Sequence, residues 1–215
     1  MKQPSLTDIL ARAAIVPVVT IDDADHAVPL AKALADGGLP LIEVTMRTTA
    51  ALDAIAAIRN AMPEIAVGAG TVLDEAALDQ AVGAGATFFV SPGASADLIA
   101  AVAKQGLQDH WLPGAATPSE MMALRDAGYV LQKFFPAEQS GGTALLNAVA
   151  APFSDLVFCP TGGIGQHNAA DYLALGNVTA VGGSWVAPQA AIAAAAWSDI
   201  RDLARSAVGQ FASRA

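Results

Sequence analysis

The chain has 215 residues, of which 54% are hydrophobic and 14% are charged, and its formal net charge at pH 7 is −9. This length suffices for one domain with a sizeable core. The acidic balance argues against a general nucleic-acid-binding surface, which needs clustered positive charge, whereas a small anionic ligand needs only a local positive potential.

No apolar stretch reaches the length of a membrane span without a glycine, a proline or a charge. The segment Met1–Ser5 lacks the long apolar run of a secretory signal. The only cysteine, Cys159, cannot form an intrachain disulfide. We therefore expect a soluble cytoplasmic protein that binds neither membranes nor nucleic acids. Its low charge density also permits surface to be buried in an oligomer.

After an opening helix predicted at Ser5–Ala14, short apolar runs alternate with alanine-rich segments of helical period. The apolar runs, which we interpret as strands, begin near Val16, Leu39, Ile65, Ala86, His110, Tyr129, Leu156 and Val178. The helical segments are Ala24–Ala35, Thr49–Ala61, Glu75–Val82, Ala96–Lys104, Pro118–Asp126, Ala144–Ala151, Ala169–Leu175 and a final helix, Ala190–Phe211.

Eight strand-helix units of similar length predict an α/β fold, a single (β/α)8 TIM barrel over residues 1–215 with an N-terminal and a C-terminal helix. A doubly wound open sheet is the alternative. Polar residues follow many of the predicted strands, whereas an open sheet concentrates its site at one switch point, so the barrel is favoured. No linker divides the chain.

Capping signals support the predicted helix ends. Thr117-Pro118-Ser119-Glu120 combines a threonine N-cap, a proline at the first helical position and a glutamate three residues on. The pair Gly37-Gly38 and Gly128 are placed to end helices before the next strand.

Lys133 interrupts a run of large apolar residues, Tyr129–Phe135, which predicts a buried strand closed by Pro136. Burying an unpaired ammonium group costs on the order of several kcal/mol. Loss of its proton avoids this cost and leaves a nucleophilic amine, whose usual chemistry is a Schiff base with a carbonyl. The alternative is a lysine at a strand end that extends to solvent.

The second predicted strand places Glu43, Thr45 and Arg47 on one face, because side chains two residues apart point the same way. We expect these three residues and Lys133 to point into the barrel. Every other lysine and arginine falls in a predicted helix or near a terminus. The alternative is a buried structural ion pair between Glu43 and Arg47.

The third and fourth predicted strands end in weaker signals. Gly68-Ala69-Gly70 lets a ligand or another backbone approach closely, and Thr71 could donate to a carboxylate, although threonine is often a helix cap here. Ser91-Pro92-Gly93 predicts a turn that shapes the wall of a pocket.

Paired glycines follow the seventh and eighth predicted strands, at Gly162-Gly163 and at Gly182-Gly183, which precedes Ser184. Barrels often bind phosphate at these two positions, where free backbone N–H groups and helix N-termini face the anion. Thr161 shares a strand face with Cys159, which we treat as a small core residue. An amine nucleophile, a carboxylate, an arginine and this cradle suit Schiff-base chemistry on a phosphorylated keto acid.

No metal site is expected, since the three histidines have no ligand spacing with cysteine or acidic residues.

With these residues the chain resembles the 2-keto-3-deoxy-6-phosphogluconate (KDPG) aldolase family, the class I aldolases of the Entner–Doudoroff route. The matching stretches cover nearly the whole chain in order: Glu43–Thr48, Gly68–Val72, Ser91–Gly93, Pro113–Glu120, Lys133–Glu138, Cys159–Ile164 and Gly182–Trp185. Met46 departs from the leucine frequent in the family, and the tail after Pro188 carries little of the resemblance.

The resemblance implies a role for each matching residue. Lys133 would form the Schiff base, and Glu43 would shuttle protons directly or through a water. Arg47 and Thr71 would hold the substrate carboxylate. The remaining implied contacts are Pro92 and Phe135 in the pocket wall, Thr161 at a hydroxyl, and Gly162, Gly163 and Ser184 at the phosphate. It also implies a homotrimer and, since the imine serves as the electron sink, no cofactor.

The implied reaction is reversible cleavage of 2-keto-3-deoxy-6-phosphogluconate to pyruvate and glyceraldehyde 3-phosphate. The galactonate epimer and unphosphorylated 4-hydroxy-2-oxoglutarate are alternative substrates. A non-catalytic phosphosugar-binding barrel would have no need for Lys133 with Glu43, and a phosphosugar isomerase would favour carboxylate or histidine bases.

Overall fold

The computed structural model describes residues 5–11 and 13–211, in which parallel strands and helices alternate. The strands are β1 (Ile15–Val19), β2 (Leu41–Thr45), β3 (Ala66–Gly70), β4 (Phe88–Val90), β5 (Trp111–Leu112), β6 (Gly114–Ala115), β7 (Leu131–Phe134), β8 (Val157–Pro160) and β9 (Val181–Gly183). The helices are α1 (Leu6–Ala11), α2 (Ala27–Asp36), α3 (Ala51–Ala61), α4 (Glu75–Gly83), α5 (Ala96–Lys104), α6 (Pro118–Asp126), α7 (Gly142–Ala150), α8 (Ala169–Leu173), α9 (Gln189–Ala193) and α10 (Trp197–Phe211).

All strand pairs are parallel, and they form a curled six-stranded sheet in the order β5-β4-β3-β2-β1-β9 and a three-stranded sheet in the order β6-β7-β8. The predicted α/β class is confirmed. In the register, Glu43 of β2 lies opposite Val18 and Gly68, and Lys133 of β7 lies opposite Gly114 and Cys159. The parallel arrangement brings the carboxyl ends of these strands to one edge.

Side chains alternate along β2 because a strand turns successive residues to opposite faces. Ile42 and Val44 are fully buried and pack toward the helices, while Glu43 and Thr45 occupy the inner face. On the same inner face, Phe88 of β4 fills the space beside Gly68, where a Cβ would collide with the phenyl ring. An aromatic side chain thus packs the interior beside the polar inner residues.

Helices α4, α5 and α6, whose first turn is capped by a side chain, begin where the sequence predicts them. The predicted bounds of α5 and α6 are confirmed, with Ser95 accepting a hydrogen bond from the Leu98 N–H and a complete capping box at Thr117 and Glu120. Gly38 and Gly128 adopt left-handed conformations after their helices, at φ of 97° and 94°.

Two helix predictions are corrected. A single final helix over Ala190–Phe211 is wrong, because the chain breaks into α9 and α10 at Ala195, whose φ is 51°. An alanine run presents no polar or bulky residue that marks such a break. The opening helix ends at Ala11, and Arg12, also predicted helical, lies outside the described residues.

In the part of the chain that the structure describes, no helix combines the length and the apolarity needed to cross a membrane.

Candidate active site

One cavity of about 550 Å³ collects every site residue proposed from the sequence. Its lining includes Glu43, Arg47, Thr71, Pro92, Lys133, Phe135, Thr161, Gly162, Gly163 and Ser184. These residues lie in or just after six different strands, so the parallel topology rather than sequence proximity brings them together.

Lys133 and Glu43 are partners inside this cavity. Lys133 Nζ lies 3.3 Å from Glu43 Oε1, and the two residues are only 5% and 2% exposed. The alternative of a lysine extending to solvent is therefore wrong. A nearly dry amine with one carboxylate oxygen in reach can exchange a proton with that carboxylate instead of with bulk water.

Two inner-face neighbours fix the surroundings of this pair. Lys133 Nζ lies 5.3 Å from the centre of the Phe135 ring, which adds an aromatic wall to the amine. Gly70 leaves the space that the Glu43 side chain occupies, because a Cβ at residue 70 would collide with Oε1, Cγ and Cδ of Glu43. The glycine of β3 is thus a steric requirement for the carboxylate of β2.

Contrary to the prediction from the sequence, Arg47 does not point into the interior. Strand β2 ends at Thr45, and Arg47 lies in the following turn, exposed at the rim of the cavity. Among the described residues it forms no ion pair, so the alternative of a buried Glu43–Arg47 pair is wrong. An unpaired guanidinium at the rim is available for an incoming carboxylate.

Thr71 lines the cavity in a left-handed conformation, with a φ of 64°. This conformation strains a β-branched residue by about 1–3 kcal/mol. The alternative role as a helix cap is excluded, because Asp74 caps α4 by accepting from the Ala77 N–H. Among the described residues, no hydrogen bond joins the Thr71 hydroxyl to a partner, which leaves it available to a ligand.

Replacing Thr71 with glycine is expected to raise the melting temperature while lowering kcat/KM about tenfold or more, because strain is relieved and the hydroxyl is lost. Ala195→Gly is the matched control, since Ala195 has a φ of 51° but lies outside the cavity. It should raise the melting temperature by about 2–4 °C without changing activity. Thermal melts and steady-state assays of both variants check this. Equal activity in the two would show that Thr71 has no role in binding.

Thr161 has a buried hydroxyl without a partner. The residue is 7% exposed, and its Oγ1 makes no hydrogen bond within the described chain. A buried polar atom of this kind costs on the order of 1–3 kcal/mol unless a ligand or a water satisfies it. Gly182 faces the same atom, since a Cβ there would collide with Thr161 Oγ1.

Both glycine pairs adjoin Thr161, since Gly162 follows it in the chain and Gly182 pairs with it across a parallel bridge. Gly162 and Gly163 have φ values of 104° and 76°, which favour glycine, and Ser184 is exposed at the end of β9. In the described part of the chain, the N–H groups of Gly163 and Ser184 donate to no acceptor. They therefore offer donors to an anion in the cavity.

Several lining residues escaped the sequence analysis. Thr20 follows β1 and shares a hydrogen bond with Thr45 at 2.9 Å, and Gln189 donates to Asp22 at 2.7 Å. Thr20 follows a strand, β1, that contains no charged residue to draw attention to it. The second pair is separated by 167 positions, so no local pattern connects its members.

Cys159 is buried beside Lys133, as predicted for a small core residue. Burial raises the pKa of its thiol to about 12, which keeps it protonated and poorly nucleophilic. Within the described residues, no group of three or more histidine, cysteine, aspartate or glutamate side chains could hold a metal ion.

Comparison with known proteins gives one consistent family. Residues 6–203 match the family model described as KDPG and KHG aldolase. A 2-dehydro-3-deoxy-phosphogluconate aldolase of Pseudoalteromonas atlantica is 48% identical over 95% of this chain and 94% of its own length. The KHG/KDPG aldolase of Escherichia coli K12 is 47% identical, with 95% of each chain covered.

Comparison with solved structures indicates the same family. A KDPG aldolase of Legionella pneumophila, whose crystal structure holds pyruvate captured at low pH as a covalent carbinolamine intermediate, superposes with a TM-score of 0.89. It is 40% identical, and the match covers 92% of this chain and 95% of that one.

Proposed function

The chain belongs to the family of KDPG and KHG aldolases, and we propose that it cleaves 2-keto-3-deoxy-6-phosphogluconate reversibly to pyruvate and glyceraldehyde 3-phosphate through a Schiff base on Lys133. The observation that carries this proposal is the buried contact of 3.3 Å between Lys133 Nζ and Glu43 Oε1. A lysine amine and a proton acceptor at this separation are what imine chemistry requires.

Imine formation uses the pair directly. Glu43 takes a proton from the Lys133 ammonium, and the free amine adds to the 2-keto carbon to give a carbinolamine. Protonated Glu43 then returns its proton to the carbinolamine hydroxyl, which leaves as water. The product is a protonated imine, and Glu43 is again a carboxylate.

Carbon–carbon cleavage follows from the electron demand of that imine. Glu43 removes the proton of the C4 hydroxyl, directly or through a water. The C3–C4 bond breaks, and its electron pair moves into the imine to form an enamine. Glyceraldehyde 3-phosphate leaves, Glu43 protonates the enamine at C3, and water hydrolyses the resulting imine to pyruvate and free Lys133.

Substrate carboxylate and phosphate bind at opposite parts of the cavity in this proposal. Arg47 and Thr71 hold the carboxylate, and Pro92 and Phe135 form the wall between them and the amine. Thr161 contacts a substrate hydroxyl, which would satisfy its unpartnered Oγ1. Gly162, Gly163 and Ser184 bind the phosphate, supported by the free N–H groups of Gly163 and Ser184.

The two sheets, we propose, complete a single (β/α)8 barrel over residues 1–215. Strands β5 and β6 are separated only by Pro113, whose carbonyl accepts from the Lys133 N–H at 2.8 Å, so they act as one strand. A parallel bridge between Thr161 and Gly182 joins β8 to β9. These pairings support closure of the ring.

We further propose a cytoplasmic homotrimer. Exposed apolar side chains at Leu73, Met122 and Val130 favour burial between subunits. The galactonate epimer and 4-hydroxy-2-oxoglutarate remain the alternative substrates, and the second is favoured as an additional one by the name of the Escherichia coli relative.

Borohydride reduction in the presence of pyruvate tests the proposal. We expect a pyruvate-sized adduct on the peptide that contains Lys133, detected by mass spectrometry, together with aldol cleavage of the phosphorylated substrate. No adduct on folded protein would favour a non-catalytic phosphosugar-binding barrel. An adduct confined to Lys2, Lys32 or Lys104 would contradict the role of Lys133.

A further inference from the structure

Glu138 lies beside the proposed phosphate-binding glycines and has no part in the chemistry described above. The loop after β7 is joined to the loop after β8 by two backbone hydrogen bonds. The Ala137 N–H donates to the Thr161 carbonyl at 2.8 Å, and the Glu138 N–H donates to the Gly162 carbonyl at 3.1 Å. The position of Glu138 is thus coupled to the position of the glycine pair.

The stem of the Glu138 side chain packs directly on Gly163. A Cβ at Gly163 would collide with Cβ and Cγ of Glu138, so only glycine leaves room for this contact. On its other side, the Gly163 carbonyl accepts a hydrogen bond from Asn168 Nδ2 at 3.2 Å. Gly163 is therefore held between Glu138 and Asn168, with its N–H directed to no described acceptor.

Tyr172 holds the other end of the Glu138 side chain. Its hydroxyl donates to Glu138 Oε1 from α8, where the tyrosine is only 1% exposed. Burial, together with the bond to Glu138, raises the pKa of Tyr172, so the hydroxyl remains a donor at neutral pH. The two residues are 34 positions apart and bridge the loop after β7 to α8.

The negative charge of Glu138 is unexpected beside a proposed phosphate-binding loop. The carboxyl group forms no ion pair with a described residue, yet it lies next to a loop proposed to bind an anion. A carboxylate there repels a phosphate electrostatically. A steric and hydrogen-bonding task, rather than its charge, accounts for its position.

We propose that Glu138 and Tyr172 are positioning residues that fix Gly163, and with it the phosphate-binding N–H groups. The inference rests on the proposed function, because it assumes that phosphate binds at Gly162, Gly163 and Ser184. The pair determines specificity for phosphorylated over unphosphorylated keto acids. It touches neither Lys133 nor Glu43 and leaves Schiff-base formation unaffected.

Tyr172→Phe tests the inference, since it removes the hydroxyl and keeps the buried ring. KM for the phosphorylated substrate should rise about tenfold, with kcat changed less than about twofold. The inhibition constant of inorganic phosphate should rise by a similar factor. KM for 4-hydroxy-2-oxoglutarate and the yield of the trapped pyruvate adduct should be unchanged.

Two further variants provide controls. Tyr129→Phe removes the only other tyrosine hydroxyl, which bonds to no described residue, and should leave all these constants unchanged. Glu138→Gln retains the stem and an oxygen that accepts from Tyr172, so KM should stay at or below the wild-type value. A KM increase in Glu138→Gln as large as in Tyr172→Phe would overturn the positioning role in favour of the charge.

The outcomes separate this inference from the function on which it rests. If wild-type enzyme neither prefers the phosphorylated substrate nor is inhibited by inorganic phosphate, the phosphate cradle is wrong and the inference falls with it. If the wild type shows both properties and Tyr172→Phe changes KM for both substrates equally, or for neither, only the positioning role is overturned.

Discussion

Replacing Lys133 with alanine is expected to lower kcat for aldol cleavage by about 10⁴-fold or more, because the covalent route disappears with the amine. No neighbouring group replaces it, since the other described lysines, Lys32 and Lys104, lie on helices and pair with exposed carboxylates. Steady-state cleavage assays measure the loss, and the borohydride adduct should vanish with it.

Lys133→Arg distinguishes the role of the amine as a nucleophile from the role of its positive charge. Lys133→Ala leaves the Glu43 carboxylate buried without a partner, and such a loss destabilises a protein by about 3–5 kcal/mol. Lys133→Arg avoids this because it retains a cation beside Glu43. A guanidinium stays protonated and forms no Schiff base, so activity should fall as far as in Lys133→Ala while the fold is retained. Lys104→Ala, which removes an exposed amine, is the control and should keep full activity. Near-wild-type cleavage by either Lys133 variant would refute the mechanism.

Local signals made much of the fold predictable. Helices α5 and α6 begin after Ser95 and Thr117, whose side chains bond to the first turn, and the predicted bounds of both helices are correct. The break at Ala195 was missed because Ala194–Ala196 carries no side chain that distinguishes helix from turn.

Strand periodicity correctly predicted which side chains of β2 face the cavity, but it did not predict where the strand ends. The alternation in β2 correctly assigned Glu43 and Thr45 to the inner face, because period two persists while the strand lasts. The same rule placed Arg47 too deep, since β2 ends at Thr45 and the alternation ends with it. Strand ends depend on neighbouring strands, which a single segment does not reveal.

The contact between Glu138 and Tyr172 could not be predicted from the sequence. Glu138 belongs to the same motif as Lys133, but its partner Tyr172 lies 34 positions away in the short helix α8. Neither residue type nor spacing connects the two. Glu138 follows β7 and Tyr172 lies in the helix after β8, so the pairing of these two strands places the two residues near each other.

Glu43→Gln is expected to reduce kcat by about 10²–10⁴-fold, the usual contribution of general acid–base catalysis. The amide has nearly the same shape and can still contact Lys133, but it cannot take up and return a proton. Pyruvate trapping on Lys133 should therefore persist at a slower rate, in contrast to its loss in Lys133→Ala. Single-turnover measurements of adduct formation and of cleavage distinguish the two variants. A kcat within threefold of wild type would remove Glu43 from the proton transfers.

A glycine substitution tests the same carboxylate without changing it. Gly70→Ala puts a methyl group where Glu43 Oε1, Cγ and Cδ lie, so the carboxylate must move away from Lys133. We expect a loss of kcat approaching that of Glu43→Gln, because the displaced carboxylate loses its 3.3 Å contact with Lys133 Nζ, and proton transfer needs the two groups within hydrogen-bond reach or joined by one water. Gly83→Ala is the matched control, since a methyl group there, at the end of α4, meets no atom within 4 Å. If the two alanine variants were equally active, the position of Glu43 would not limit the reaction.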